Sequence, residues 1–473
     1  MLRRILTVFS VTLAAAGAAQ TLTLEQAVEQ AVEQSLEAQQ AQLQVQQAEI
    51  DLRQARAEQY PEASFQTNAG YQFGLGVDPT TNTLQQQQIF FASPSLGVNA
   101  VLYQGGRIRA SIAQGKTQVS AAEATADDIR QDVALAMAQQ YLEALLAREE
   151  VTAARARLAD LTAQVDRVTR LIDAGQAAPV DRFPLESERA RADQAVIVAT
   201  NQLELAELRL RQLLRMEPSE ALSLVRPESI DFDRVQLATA ATLEIYQAAL
   251  SRQPAIRAAE LNEEVASQGI QLARSGYYPS LSAFGQLNTR YSSEAREPAG
   301  MPSLRVDEQT VFVDGMPVTL GFQQPVFDFQ TIGVGQQFRD FFGQSVGLAL
   351  NVPIFNNGRT NAAVQRAKVG LERARLNTAQ ERQRLEVEVS QALQAARGAR
   401  AEVAASERAL EAARASLRAA QRRSELGQGS AYDLANAQIL LEQAQTAFLR
   451  ARYQFLFNAK VVDFYLGRPL TLN

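Results

Sequence analysis

The side chains able to do chemistry in this chain of 473 residues are almost all carboxylates and guanidinium groups. Asp plus Glu number 52 and Lys plus Arg 46, with no His, no Cys and no Trp. That composition removes imidazole and thiolate nucleophiles, histidine proton relays, disulfides and Cys/His zinc sites together. The formal charge of −6 also lacks the basic surplus of a nucleic-acid binder. Gly333-Val334-Gly335 begins like a dinucleotide turn, but Phe338 replaces its third glycine and no helix-forming pattern follows, so it reads as a loop. Asp231 and Asp233 are read as solvated acids of a linker. No catalytic residue, metal ligand or cofactor site is expected. Two carboxylates remain: Asp181 and Asp433, each shortly after a glycine, Gly175 or Gly427. Their simplest reading is as acids in the first turn of a helix, where the dipole favours negative charge.

The elements that position them come as a duplication. Gly105-Gly106-Arg107 recurs as Asn357-Gly358-Arg359, and Gly175…Asp181 as Gly427…Asp433, both at a shift of 252 residues. Tyr60-Pro61 returns as Tyr278-Pro279 at a shift of 218, so the second half carries about 34 extra residues between Pro279 and Asn357. The expected organisation is a first repeat over 20–216, a linker over 217–242 and a second repeat over 243–473.

Each repeat contains one very long helical stretch, Arg107–Ala174 or Arg359–Leu426. A continuous helix of that length would extend roughly 100 Å. Ala144, Val151, Leu158, Val165 and Ile172 recur every seven residues, with Ala147, Ala154, Leu161 and Val168 beside them, which is the seam of a coiled coil. Ala396, Val403, Leu410 and Leu417 continue the pattern in the second repeat, weakened by Ser406 and Ser424.

Between the helices lie segments that alternate every second residue. Ala63, Phe65, Thr67, Ala69, Tyr71 and Phe73 form one apolar face; Leu96, Val98, Ala100 and Leu102 a second. Leu281, Ala283, Gly285, Leu287, Thr289 and Tyr291 give a third, and Val346, Leu348, Leu350, Val352 and Ile354 a fourth. Each is about 10 residues, the length of a tilted transmembrane strand. Two strand hairpins, about 62–104 and 280–355, are expected, the second with a polar outer loop over 292–343. Four strands leave two edges unpaired in lipid, so closure requires several copies of the chain.

Arg3 and Arg4 precede an apolar run that ends in Ala16-Gly17-Ala18-Ala19, so residues 1–19 read as a secretory signal peptide. No later segment supplies the roughly 18 consecutive apolar residues of a membrane-spanning helix.

At this level the chain resembles the TolC-like outer membrane efflux proteins. The marks are Tyr60-Pro61 and Tyr278-Pro279 where helix passes into strand, Leu102-Tyr103-Gln104-Gly105-Gly106-Arg107 and Val352-Pro353-Ile354-Phe355-Asn356-Asn357-Gly358-Arg359 where strand returns to helix, and the Gly427-to-Asp433 turn. The resemblance implies a mixed α and β fold: a long α-helical coiled-coil barrel continuous with a transmembrane β-barrel, four strands per chain, closed by trimerisation. It further implies an outer-membrane location extending into the periplasm, a periplasmic adaptor and an inner-membrane pump as partners, contact with outer-membrane lipid, and passive export of amphiphiles or polypeptides. At the periplasmic end it implies a closable entrance, where Asp181 and Asp433 would each form a ring of three carboxylates that attracts cations.

The chain departs from the family's entrance pattern. Its second acidic position is Asn436, the gate Arg position is Gly429 and the gate Tyr position is Ser424, which leaves Arg182 as an alternative tether. The competing expectation is a soluble periplasmic adaptor or bridging protein that keeps the helices and has no lipid-facing strands.

Overall fold

The computed structural model describes residues 20–77, 84–86, 88–217, 220, 222–226, 242–313, 315–426, 428 and 431–468. The expected signal peptide, Gly427, Gly429 and most of the linker lie outside the described residues.

The first half runs β1 (Gln20–Leu22), α1 (Leu24–Gln34), α2 (Leu36–Ala57), β2 (Glu62–Gln72), β3 (Leu75–Val77), β4 (Leu84–Gln86), β5 (Ile89–Gln104), α3 (Arg107–Asp173) and α4 (Arg182–Leu214), followed by β6 (Leu222–Leu224). The second runs α5 (Thr242–Leu250), α6 (Pro254–Arg274) and β7 (Ser280–Asn288). It continues through β8 (Tyr291–Ser292), β9 (Arg296–Pro298), β10 (Ser303–Val313), β11 (Met316–Val326), β12 (Phe329–Thr331) and α7 (Val334–Asp340), and ends in β13 (Gly343–Asn351), α8 (Arg359–Glu425) and α9 (Ala431–Tyr465). The chain divides into a helical unit (up to Ile50, Gly115–Ala266 and from Val369) and a strand unit (Asp51–Gln114 and Ser267–Lys368).

In the helical unit the heptad seam packs as its spacing requires. Ala144, Ala147, Val151, Leu161 and Val165 of α3 are buried, as are Ala396, Ala399, Val403, Leu410, Ala413 and Ala420 of α8. Small residues at these positions let helix axes approach closely, and Phe455 of α9 fills the space beside Ala399 and Val403. Ser406 stays in the seam by returning its hydroxyl to the carbonyl oxygens of Glu402 and Val403, at 2.8 and 3.0 Å. Ion pairs flank the seam: Arg157 with Glu442 at 2.8 Å and Arg450 with Glu150 at 2.6 Å join α3 to α9.

The short β1 and β6 pair in parallel, and both are tied to α3 by Tyr141. Its buried hydroxyl donates toward the carbonyls of Leu22 (2.8 Å) and Val225 (3.0 Å). Burial pushes that hydroxyl up to about 12, so it remains a donor across physiological pH.

The strand unit is built on one antiparallel sheet ordered β13–β7–β5–β2, with β8 also pairing β5. The two sequence hairpins are therefore joined through β5 and β7, and β13 and β2 are the open edges. Within one chain the expected barrel is an open sheet. Register decides its chemistry. Phe65 faces Leu96 and Leu96 faces Leu287, while Val98, Gly285 and Val346 line up across β5, β7 and β13. All four apolar faces thus fall on one side. On the other side Ser64, Gln66 and Asn68 meet Gly97, Ser95 and Ser93, and Gln286 meets Ser345.

Several boundaries differ from the expectation. β5 begins at Ile89, seven residues before Leu96, the first residue of the expected second alternating face. A bulge between Val101 and Tyr103 moves Leu102 out of the alternating series, and Tyr103 pairs with Leu281 in its place. β7 stops at Asn288, leaving Thr289 outside it and Tyr291 in the separate β8, and β13 stops at Asn351, leaving Val352 and Ile354 beyond the sheet. The outer loop over 292–343 is not simply polar coil: β10 and β11 form a hairpin of 11 paired positions. The Gly333 segment, expected as loop, opens the short helix α7 with Gly333 as its cap. Gln337 explains that helix. Its buried amide accepts from the Ser292 N–H at 2.9 Å and donates to the carbonyls of Ser292 (3.0 Å) and Ile332 (2.7 Å), so the turn is held by bonds whose pattern no sequence periodicity displays.

Candidate functional site

Three places carry the candidate residues: the corners where helix meets strand, the turns at the far ends of the long helices, and the sheet itself.

At the corners, Tyr60 and Tyr278 each close a helical turn by donating their N–H to Ala57 and Ser275, at 2.9 and 3.1 Å. The prolines that follow, Pro61 and Pro279, disfavour continued helix and turn the chain into β2 and β7. The return corners use two consecutive left-handed residues: Gly105 and Gly106 before α3, Asn357 and Gly358 before α8. The pair reverses the chain in minimal length, and Asn tolerates that region better than most side chains. Gly105 is further constrained, because a Cβ there would lie 2.6 Å from the Ser275 carbonyl oxygen and 2.7 Å from Tyr278 Cβ. Thr360, in the first turn of α8, hydrogen-bonds the Gly276 carbonyl at 3.3 Å and accepts from Asn356 at 2.6 Å. Both return corners therefore converge on the turn at 275–278. Pro353 lies half-buried between β13 and this corner.

At the far ends, α3 closes with Gly175 left-handed, its N–H bonded to Ile172 and the Gln176 N–H to Leu171. This is a Schellman cap. The Gln428 N–H bonds Arg423 in the matching place on α8, while Gly427 and Gly429 lie outside the described residues. Asp181 ends a short turn and accepts the Ala178 N–H at 3.2 Å. Arg182 pairs with Glu186 of its own helix at 3.1 Å, which occupies it within α4. Asp433 lies exposed in the first turn of α9, with Asn436 exposed three residues on. The structure puts one carboxylate on each helical turn and gives each a position in a helix start.

A further cluster has no sequence signature. Asp128 of α3 borders a cavity of about 380 Å³ lined also by Asn262 of α6 and Asn377, Glu381 and Arg384 of α8. Burial pushes its carboxyl up to about 6, reinforced by Asp132, Glu381 and Glu388 and opposed by Arg384. Arg384 pairs with both Glu381 (3.4 Å) and Glu388 (3.2 Å). Nothing in the sequence around Asp128 marks this cluster; it forms only through the approach of α6 and α8.

Besides Phe65 and Phe284 in its middle, the sheet gathers aromatic residues at both of its ends. At one, Tyr71, Phe90, Tyr291 and Phe338 form a chain of ring contacts with centroids 5.0, 6.1 and 6.5 Å apart. At the other stand Tyr60, Tyr103, Tyr277, Tyr278 and Phe355, all exposed. An outward apolar band between aromatic girdles is the signature of a membrane strand sheet. The sequence model described as "Outer membrane efflux protein" matches residues 27–214, 245–334 and 342–468.

The chain belongs to the outer membrane efflux protein family.

Relatives agree with this placement. The outer membrane efflux protein BepC of Brucella suis is 23% identical over 390 residues, covering 82% of this chain and 74% of the relative. TolC of Vibrio cholerae is 22% identical over 243 residues, 50% of this chain and 45% of that protein. Among solved structures, CusC superposes with a TM-score of 0.74 at 18% identity, covering 94% of this chain and 92% of its own. The outer membrane protein VceC of V. cholerae gives 0.72 at 17%, covering 94% and 96%. As an outer membrane efflux protein, the chain is a channel of the outer membrane that extends into the periplasm. Its apolar sheet face, which a soluble bridging protein would have to hide, belongs against lipid.

Proposed function

We propose that the protein acts as a homotrimer whose twelve strands close one β-barrel, forming the passive exit duct of a tripartite efflux or type I secretion system. One observation carries this reading: a sheet of four long strands, apolar on one face and polar on the other, whose edges β13 and β2 have no further strand partner among the described residues. Unpaired edges are not tolerated in hydrocarbon, and a barrel needs about 8 strands or more. Leu36, Leu43 and Ile50 of α2 support the reading, since they stand exposed at seven-residue spacing on the side away from that helix's buried row. The signal peptide, the linker and the two-repeat boundaries complete this picture as export signal, joint and duplicated half-barrel.

A periplasmic adaptor and an inner-membrane pump dock at the helical turns, where Val180 and Phe183 of one turn and Leu426 and Tyr432 of the other present exposed apolar groups. Small amphiphiles or polypeptides pass along the polar sheet face. At the entrance Asp433, with Asp181 nearby in function, forms a carboxylate ring that draws cations.

The test is single-channel recording of the mature protein in planar bilayers, with divalent cations added to either side, for wild type and Asp433→Ala. Stepwise conductance with one-sided block, relieved in the variant, is expected. Well-folded oligomers that never conduct would overturn the duct, and unchanged block in Asp433→Ala would remove that residue from the entrance.

A further inference from the structure

We propose that Phe284 is a contact site for lipophilic cations in the lumen of the channel, an aromatic ring left open on the polar wall in the same cross-strand row as the Glu62 carboxylate. The inference rests on the duct reading above and deepens it by naming the side chains that meet the cargo.

Alternation places Phe284 on the polar side of β7. Its neighbours there along the strand are Ser282 and Gln286, while Ala283 and Gly285 belong to the apolar face. Register carries the row across the sheet: Glu62 pairs with Asn99, Asn99 with Phe284, and Phe284 with Gly347. In the next row toward the start of β7, Val101 and Ala349 flank Ser282 and extend the apolar spot a little. In the row beyond Phe284, Gly97 and Ser345 flank Gln286. Glu62 is the one charged residue among the paired positions of this face. Strands lie about 4.8 Å apart, so Glu62 and Phe284, two strands apart, start from backbones about 10 Å from one another.

The ring is covered only in part. A Cβ on Gly347 would lie 2.7 Å from Phe284 Cζ, so the far edge of the ring rests over the glycine of the edge strand. Covering an edge glycine with an aromatic side chain stabilises a sheet, which gives the ring a place in the fold. That contact still leaves Phe284 40% exposed, on a wall otherwise made of Ser, Asn and Gln. Phe91, the other aromatic residue of this face, covers Gly70 near the outer end, eight residues along β5 from the Glu62 row.

Barrel closure joins strands edge to edge and leaves the faces of the sheet uncovered, so the open part of the ring remains toward the lumen. A ring face attracts a cation within contact distance, and an apolar cation also removes its own surface from water there. The carboxylate in the same row attracts cations of every kind. A lipophilic cation gains from both groups, and a small hydrated one from the carboxylate alone.

The test is block of single channels by tetraphenylphosphonium, with tetramethylammonium current as the control, in wild-type and variant trimers. Phe284→Ser is expected to raise the half-blocking concentration of tetraphenylphosphonium several-fold, with potassium chloride conductance and tetramethylammonium current unchanged. Phe284→Tyr keeps the ring face and is expected to keep the block, whereas Glu62→Gln is expected to weaken the block and lower the tetramethylammonium current together. Should Phe284→Ser fail to assemble, Phe284→Leu, which keeps bulk over Gly347 without a ring face, reads the same shift. Conducting trimers with equal half-block in wild type and in the serine or leucine variant would overturn the inference alone and leave the ring as a cover for Gly347. Wild-type trimers that never conduct would overturn it together with the duct.

Discussion

At the scale of single residues, Asp128 shows a cost that the fold keeps. Its carboxyl is raised from 3.8 to about 6, first by burial and then by Asp132. A folded-state value above the unfolded one means that the native state favours the protonated form. The penalty for the charged form is therefore full above about pH 6, falls as pH drops through 6, and vanishes below 3.8. Asp128→Asn removes the charge and keeps the shape. We expect it to raise thermal stability at pH 7.5 by about 1–3 kcal/mol, with the gain shrinking at pH 5 and gone near pH 3.5. Melting curves across that range check it, and a gain independent of pH would assign the effect to something other than ionisation. None of this was legible in the sequence, because Asp128 meets Glu381 and Arg384 only when helices far apart in the chain come together. Asp181, expected in the first turn of the returning helix, instead closes the short turn just before α4, where its carboxylate accepts the Ala178 N–H.

At the scale of elements, the return corners separate two demands on glycine. Gly105 and Gly358 are both left-handed, at φ 58° and 73°, but a Cβ on Gly358 meets nothing within 4 Å. Gly358→Ala bears only backbone strain, about 1 kcal/mol, whereas Gly105→Ala adds a backbone collision and is expected to cost about 3 kcal/mol or to block folding. Chemical denaturation of the two variants measures the difference; equal losses would show that the approach to Ser275 relaxes freely. The same duplication is visible at the helix ends, where Arg215 is left-handed in the first half and Gly467 in the second. Periodicity made the helices and the four strands legible, since a seven-residue row and a two-residue alternation each follow from backbone geometry. It could not show the bulge at Leu102, because an extra residue breaks the very alternation being counted. Nor could it show α7, whose seven residues are held by the Gln337 amide rather than by an apolar stripe.

At the scale of the whole molecule, the two faces of the sheet make opposite claims on solvent. Leu348 lies in the apolar face and Ser345 in the polar one, three residues apart on β13. An arginine on a lipid-facing strand costs about 2–4 kcal/mol near the bilayer midplane, and lumen positions accept it. We therefore expect Leu348→Arg to reduce insertion into vesicles strongly, and Ser345→Arg to insert normally with altered ion selectivity. Equal insertion of both would place the apolar face elsewhere than in lipid.

The seam between β5 and β7 also has a consequence in time. Ser95 pairs with Asn288, about 190 residues later in the chain, whereas each hairpin closes over a much shorter loop. Long-range pairing of this kind is slow, because the loop entropy is lost before any contact compensates it. The intervening α3, α4, α5 and α6 must be made before the two hairpins meet. Until then each hairpin is a small amphipathic ribbon with too few strands to hold its place in a bilayer. The connectivity thus delays the formation of a membrane-ready sheet until the first half of the chain and its long helices have been synthesised, so the order of residues along the chain works as a timer for insertion.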